Sequence, residues 1–554
     1  MAYRPRTELA THNVKNQPTP LDGTNLFWSD PALVEAVSRH GAGWGDNQLA
    51  AYGAICGDDL MALGFEANAN PPTLQTFDRL GQRIDEVSFH PAYHRCMEQA
   101  KSHGLHSLSW SDNRSGAQVL RSALVFMHNQ VEAGTMCPIT MTHAAVPSLR
   151  HAGDWVRPWL DGILANAYDP TSCPASQKTG LTIGMGMSEK QGGSDVRRNT
   201  TVATRHGGDI ATIRGHKWFF SAPMSDGFLV LAQEVDDSGL SCFLMPRWRA
   251  DGQRNTLELQ RLKNKLGDRS NASSEVEFFN AEAYPIGEAG RGVATIIDMV
   301  SQTRLDCMLG SAGQMRQSLA QAVHHCRQRE AFGKRLIEQP LMARVLADLA
   351  LESEAATALA MRLAQAFERS VDPVAQHEHA LARLATPIGK YFICKAAPGV
   401  VNEALECVGG NGYIEESILP RLFRQSPLNS IWEGAGNVQC LDLLRAVGKT
   451  PGAVDALRAE LREAAGGHSA YDGHLQRIES ALDDNLDNPA AARHHADMIA
   501  RGLQAKLLLT GDHPWLGEVF CQTRLASDHF SPYYGGFKGN IDTRAILDRT
   551  LCEC

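Results

Sequence analysis

Two hydrophobic periodicities divide this chain, and no single layer of secondary structure satisfies both. In LVEAVSRHG and LAAYGAICGDDLMALGFEA apolar residues recur three and four apart, the spacing of amphipathic helices. From about residue 181 the pattern becomes alternating, in TTVATRHGGDIATIRGHKWFFS and then FLVLAQEV, GLSCFLMP and SSEVEFF. Gly207-Gly208-Asp209 predicts a hairpin turn within it. Gly287, Gly290 and Gly292 close the stretch, and helical spacing then returns. Helix, sheet and helix in separate blocks predict a multidomain α+β chain rather than an alternating sheet.

Breakers set the expected boundaries. Residues 1–180 form an arm of about thirty residues and a helical domain, ending in the linker 168–180. Residues 181–288 form a small β-barrel or sandwich. Residues 289–447 form a helical bundle. Its second helix opens at Gln339-Pro340, with proline at the first helical position. Its third covers about 377–408 and stops at Gly409-Gly410-Asn411-Gly412. Residues 448–554 form an extra C-terminal helical domain, with Asn488-Pro489 as a cap and first-turn pair.

Composition excludes several classes. A net charge of −9 gives no global field for nucleic acid. Thirteen cysteines without a repeated CxxC read as reduced thiols in a cytoplasmic protein. The histidines lack ligand spacing, so no metal site is expected. The N-terminus lacks an apolar signal region and no apolar run reaches 18 residues, so neither a signal peptide nor a membrane span is expected.

Four stretches carry candidate chemistry. In Ser430-Ile431-Trp432-Glu433-Gly434-Ala435-Gly436-Asn437, one carboxylate stands between a bulky apolar shoulder and thin backbone. Desolvation there strengthens a base; the same residues also make an ordinary exposed turn. GMGMSEKQGGSDV offers Ser188, Gly192, Gly193 and Ser194, whose backbone can approach a flat or phosphorylated ligand, or else a plain polar turn. In HKWFFS, period two sets Phe219 and Ser221 on one face, as a wall and donor for a ring or as a core strand. Arg329 and Phe332 suit diphosphate binding and stacking, or a helix end whose dipole favours cations.

In this order, MSEKQGGSD, KWFFS, RQREAFG, ECVGGNGY and IWEG resemble the acyl-CoA dehydrogenases. HNVKNQPTPLDGTNL, CPITMT, LKNKLGDRSNASSEVEF and SIWEGAGN resemble that family's bacterial alkylation-response branch, so the likeness spans nearly the whole chain. It implies FAD between the β domain and the helices, and a homotetramer. Met185, Met187, Ser188, Gly193 and Ser194 would line the flavin, and Phe219, Phe220 and Ser221 would pack against its ring system. Arg329 and Phe332 would reach the diphosphate and adenine, often from a neighbouring subunit, with Gly409 and Gly410 near the same dinucleotide. Ile431, Trp432, Gly434 and Asn437 would cover the ring. Glu433 would be the base of an α,β-dehydrogenation of an acyl-CoA thioester, with hydride passing to the flavin. Some members carry the base just before an Arg in the first long helix; Thr303 stands there, before Arg304, and cannot serve.

Trp432 and Ala435 stand where Tyr and Thr are common in the family, which implies a smaller acyl pocket and weak turnover or an unusual substrate. The branch also implies duplex DNA binding, protection from alkylation and vestigial redox chemistry as the alternative. Residues 451–554 hold 10 Lys+Arg against 15 Asp+Glu, a balance of −5 that speaks against a basic face. Arg493, Arg501 and Lys506 could share one helix side, and Arg445 with the Arg261, Lys263, Lys265 and Arg269 group could complete a channel in an assembly.

Overall fold

The computed structural model describes residues 6–207, 209–236, 239–484, 486, 488–526 and 533–552. From Pro31 to Leu164 the chain is helical except for one hairpin, β1 (Thr73–Phe77) and β2 (Arg83–Ser88), paired from Thr73↔Ser88. Sequence periodicity did not single this hairpin out. Its turn is fixed by the Asp78 carboxylate, which accepts from the Leu80 and Gln82 amides at 2.8 Å. Helix α1 (Met136–Leu149) leads towards the β domain.

That domain holds β3 (Ile183–Gly186), β4 (Val202–Arg205), β5 (Ala211–Ser221), β6 (Gly227–Glu234), β7 (Leu240–Pro246), β8 (Leu257–Leu262) and β9 (Ser273–Ile286). The pairings β6–β4–β5–β9–β7 return from β7 to β6, so the sheet closes into a barrel; β3 extends β6 in parallel and β8 lies on β9. Closure leaves few free edges. Gly208 of the expected turn lies outside the described residues, but Arg205↔Ala211 joins the strands as a hairpin.

Helix α2 (Gly292–Gln328) follows, then α3 (Pro340–Arg369), α4 (Gln376–Val408) and α5 (Gly436–Lys449). Pro340 opens α3, and Gly409, at φ +71°, ends α4. Beyond residue 450 lie further helices, among them α6 (Ala492–Leu509), led by the Asn488 side chain accepting from the Ala490 amide at 3.0 Å. One apolar cluster runs from Leu26 to Leu551 through the N-terminal helices, the bundle and the C-terminal helices. Arg316, 5% exposed, donates to the carbonyls of Ser29 (2.8 Å) and Thr550 (2.6 Å), tying the two ends of the chain to α2.

Candidate active site

Glu433 adopts φ +56° and Gly434 φ +95°. The left-handed region costs a side-chain-bearing residue roughly 1–2 kcal/mol, so something must hold it there. Three long side chains do. Lys390 of α4 donates to the carbonyls of Trp432 (2.6 Å) and Gly434 (2.7 Å). The Glu433 carbonyl accepts from Arg304 Nε of α2 (3.2 Å) and Gln439 Nε2 of α5 (2.9 Å). Gln439 also reaches the Gly434 carbonyl at 2.8 Å. Arg304 is anchored on Asp442 at 2.7 Å, which Arg383 holds from its other oxygen at 2.8 Å. A Cβ at Gly434 would come within 2.7 Å of Gln439 Nε2 and push aside one of the clamping side chains, and its φ favours glycine in any case.

The Glu433 carboxylate accepts from Thr303 Oγ1 at 2.8 Å. Burial raises the carboxyl above its ordinary value; the Thr303 bond and the charges of Lys390 and Arg304 pull part of the way back. Trp432 is oriented by its Nε1–H bond to Asn429 (3.0 Å), and its indole joins an apolar cluster with Met185, Met187, Cys137 and Met141. That cluster brings the β domain to the Glu433 loop. It is braced by Thr142 of α1, whose hydroxyl accepts from the Ile183 amide at 3.0 Å.

On β5, Phe219 is 54% exposed and Ser221 lies 3.2 Å from Ser273 Oγ. Cys137 of α1 neighbours both Ser221 and Glu433, and burial pushes its thiol up. Phe220 corrects the expectation for this strand. Its ring is fully buried in the barrel, 4.4 Å from the Phe228 ring, and does not share the surface of Phe219 and Ser221. A register shift between Lys217 and Phe220 sends both of those side chains inward although they are three apart.

Ser188, Gly193 and Ser194 sit on a loop shaped by Glu189. Its fully buried carboxylate meets Lys217 Nζ at 2.8 Å and accepts from the amides of Thr200 (2.7 Å) and Thr201 (3.2 Å). Gly193 and Ser194 are exposed, and a Cβ at Gly193 would meet only Ser188.

Arg329 and Phe332 lie elsewhere. They follow the far end of α2, about 40 Å of helix from Thr303. Phe332 is 98% exposed on a tight hairpin. Asn16 of the N-terminal arm clips that hairpin, exchanging two 2.8 Å bonds with the Glu330 backbone and accepting through its carbonyl from Arg329. Asn411, beside Gly409 and Gly410, reaches Gln17 of the same arm at 3.4 Å, so these glycines and the hairpin share one end of the molecule. Ile431 is 62% exposed, and Asn437 accepts from Arg493 of α6 at 2.8 Å.

The expected basic helix side is also corrected. Lys506 is buried, bonded to Glu460 at 2.9 Å; Arg493 is exposed and Arg501 lies over the Phe392 ring. Among the described residues no cluster of three or more metal-ligating side chains occurs, and no helix is long and apolar enough to cross a membrane. Sequence reasoning missed Lys390, Gln439 and the anchoring role of Arg304, for which helix interiors carry no local signature.

Comparisons with known proteins agree with this architecture. Residues 16–170 match the adaptive response protein AidB N-terminal domain, 184–281 the acyl-CoA dehydrogenase middle domain and 290–448 the acyl-CoA dehydrogenase C-terminal domain. The chain is 46% identical to the Escherichia coli (strain K12) protein AidB over 93% of its own length and 94% of the relative's. The crystal structure of Caenorhabditis elegans ACDH-11 in complex with C11-CoA superposes with a TM-score of 0.86 at 26% identity, covering 94% of each chain. An acyl-CoA dehydrogenase from Bacillus anthracis complexed with FAD shares the fold at a TM-score of 0.63 and 17% identity, over 78% of this chain and 80% of that one. With nearly full-length identity of this order, the chain belongs to the acyl-CoA dehydrogenase family of oxidoreductases, in its AidB branch.

Proposed function

We propose that this protein is an FAD-dependent flavoprotein that dehydrogenates an acyl-CoA thioester between its α and β carbons, with Glu433 as the base. The observation that carries this reading is the half-buried Glu433 carboxylate on a backbone clamped by Lys390, Arg304 and Gln439, adjoining an indole that shares an apolar cluster with Met185 and Met187. Phe219, exposed on a barrel strand beside the Ser221 hydroxyl, fits one face of a flavin ring, and the open Gly193–Ser194 backbone fits its polar edge. When bound, FAD supplies the hydride acceptor. Glu433 takes the α proton as the β hydride departs, which leaves the α,β double bond. The Glu433 N–H donates to no protein group among the described residues, so it is available to the thioester oxygen as charge develops there. The C11-CoA held by the ACDH-11 structure supports an acyl-CoA substrate. Trp432 narrows the acyl side, so turnover of common chains is slow. Arg329 and Phe332 are too far from Glu433 to serve the same flavin, which favours a homotetramer in which they reach a neighbour's.

Anaerobic titration of the purified protein with short, branched and long acyl-CoAs tests this reading. A yellow protein bleached by one chain class is expected; one that no thioester bleaches would overturn it. Thr303→Val removes a bond to the charged carboxylate. The acid limb of kcat/KM is therefore expected to move to higher pH, which a pH–rate series on the bleaching substrate reads directly.

A second reading, DNA association with vestigial redox chemistry, is favoured by Arg445 and Lys449, exposed four apart on α5. Affinity for a DNA duplex that falls steeply with added salt would support it; no shift at low salt would remove it.

A further inference from the structure

We propose that Lys390 is the positioning residue of this site: its ammonium, bonded to both carbonyls flanking Glu433, locks the base's backbone in the left-handed turn and keeps a positive charge beside it. The inference rests on Glu433 being the base.

The geometry is specific. The peptide plane before Glu433 is fixed by the bond from Lys390 to the Trp432 carbonyl. The plane after it is fixed by Arg304 and Gln439 on the Glu433 carbonyl. Restraining the planes on both sides restricts φ and ψ of Glu433. Lys390 then takes the Gly434 carbonyl as well, so one side chain spans the strained residue.

A lysine that only filled the core would not need its charge. Lys390 is 1% exposed, and no carboxylate lies within ion-pair distance of it among the described residues; its hydrogen-bond acceptors are neutral carbonyls. A buried ammonium is costly unless a counter-charge is near. The groups facing Glu433 identify that counter-charge. Thr303, Arg304 and Cys307 approach from α2, Cys137 from α1, and Lys390 from α4. The Arg304 charge is already neutralised by Asp442 of α5, which also binds Arg383. Lys390 is therefore the unneutralised cation of the set, and Glu433 the anion it serves. Holding the base by its own backbone leaves the carboxylate oxygens for the substrate, whereas a direct ion pair would occupy them.

The test compares wild type with Lys390→Met, which keeps length without charge, and Lys390→Arg, which keeps charge. Two readouts are used. One is the acid limb of kcat/KM for the acyl-CoA that bleaches the wild type. The other needs no cofactor: infrared titration of the Glu433 carboxyl in apoprotein, taken as the difference from Glu433→Gln. In Lys390→Met both midpoints are expected to rise by about one pH unit or more, the loss of an adjacent opposite charge. The kcat is expected to fall at least about tenfold with little change in KM, as for a misplaced group. Lys390→Arg is expected to keep both midpoints near wild type. Unmoved midpoints in Lys390→Met would overturn the assignment. If that variant fails to fold, Lys390→Gln is read the same way. A wild type that no acyl-CoA bleaches would remove the base reading, while the infrared titration alone would still decide whether Lys390 governs the carboxyl.

Discussion

Glu433→Gln is expected to keep its flavin and lose the reaction. The amide fits the same turn, because Lys390, Arg304 and Gln439 hold the backbone and not the side chain. It cannot accept the α proton. Loss of a general base costs roughly 10²–10⁴-fold in rate, so stopped-flow bleaching should fall at least that far while the oxidised flavin spectrum is unchanged. Full-rate bleaching in the variant would sink the assignment. Stability should also change with pH. Burial raises the folded carboxyl above its unfolded value, so the native protein binds more protons and loses stability as pH rises from the ordinary carboxyl value to the raised one. Gln escapes that penalty. The Tm of Glu433→Gln relative to wild type should therefore rise across that window and level off above it, on top of a pH-independent loss from leaving Lys390 without its counter-charge, which pH-resolved thermal scans of the apoprotein would read.

Glu189→Ala should be the most damaging single change in the barrel. Lys217 is fully buried, its Nζ bonded to Glu189 and to the Leu231 carbonyl, both at 2.8 Å, and burial lowers its pKa to about 8. Burial alone would raise the Glu189 carboxyl, but Lys217 and the neighbouring amides and hydroxyls bring it down to about 2. Removing Glu189 strands an ammonium in the barrel and releases the Thr200 and Thr201 amides, a loss of about 3–5 kcal/mol. The Ser188–Ser194 loop loses its brace at the same time, so flavin release should precede global unfolding in a urea titration followed by both flavin and tryptophan fluorescence. Glu189→Met with Lys217→Met removes both charges together and should recover much of the loss. A double variant as unstable as the single would refute the ion-pair account. The sign with pH is opposite to that of Glu433: a depressed carboxyl stabilises fully above its unfolded value and stops doing so as pH falls towards about 2.

Local chemistry made much of this fold legible. Proline at Gln339-Pro340 and the glycines after Val408 bracket α3 and α4 because helix ends are decided by the few residues at them. The barrel was readable from alternation, and the burial that raises the Glu433 carboxyl from its apolar neighbours. What escaped depends on partners distant in sequence. The inward turn of Phe220 follows from a bulge, which exists only relative to the count of residues on β9. Lys506 looks like a surface cation until Glu460 is brought beneath it. Lys390 and Gln439 sit in helices whose pattern says only that they are helical; their meaning comes from a loop that crosses them.

The bond set around Arg316 has a consequence for how the chain is made. Ser29 and Thr550 meet on the same guanidinium, and Arg549 reaches back to Glu35 at 2.9 Å. Synthesis at roughly 5–20 residues per second separates the emergence of those two ends by on the order of half a minute to two minutes. Until the helix Thr543–Thr550 arrives, the buried Arg316 has Asp30, at 3.0 Å, and the Ser29 carbonyl but lacks the Thr550 carbonyl that completes its bonds. The nascent protein therefore waits with its core open on that side, and the helix Thr543–Thr550 acts as the latch that ends its exposure to chaperones and proteases.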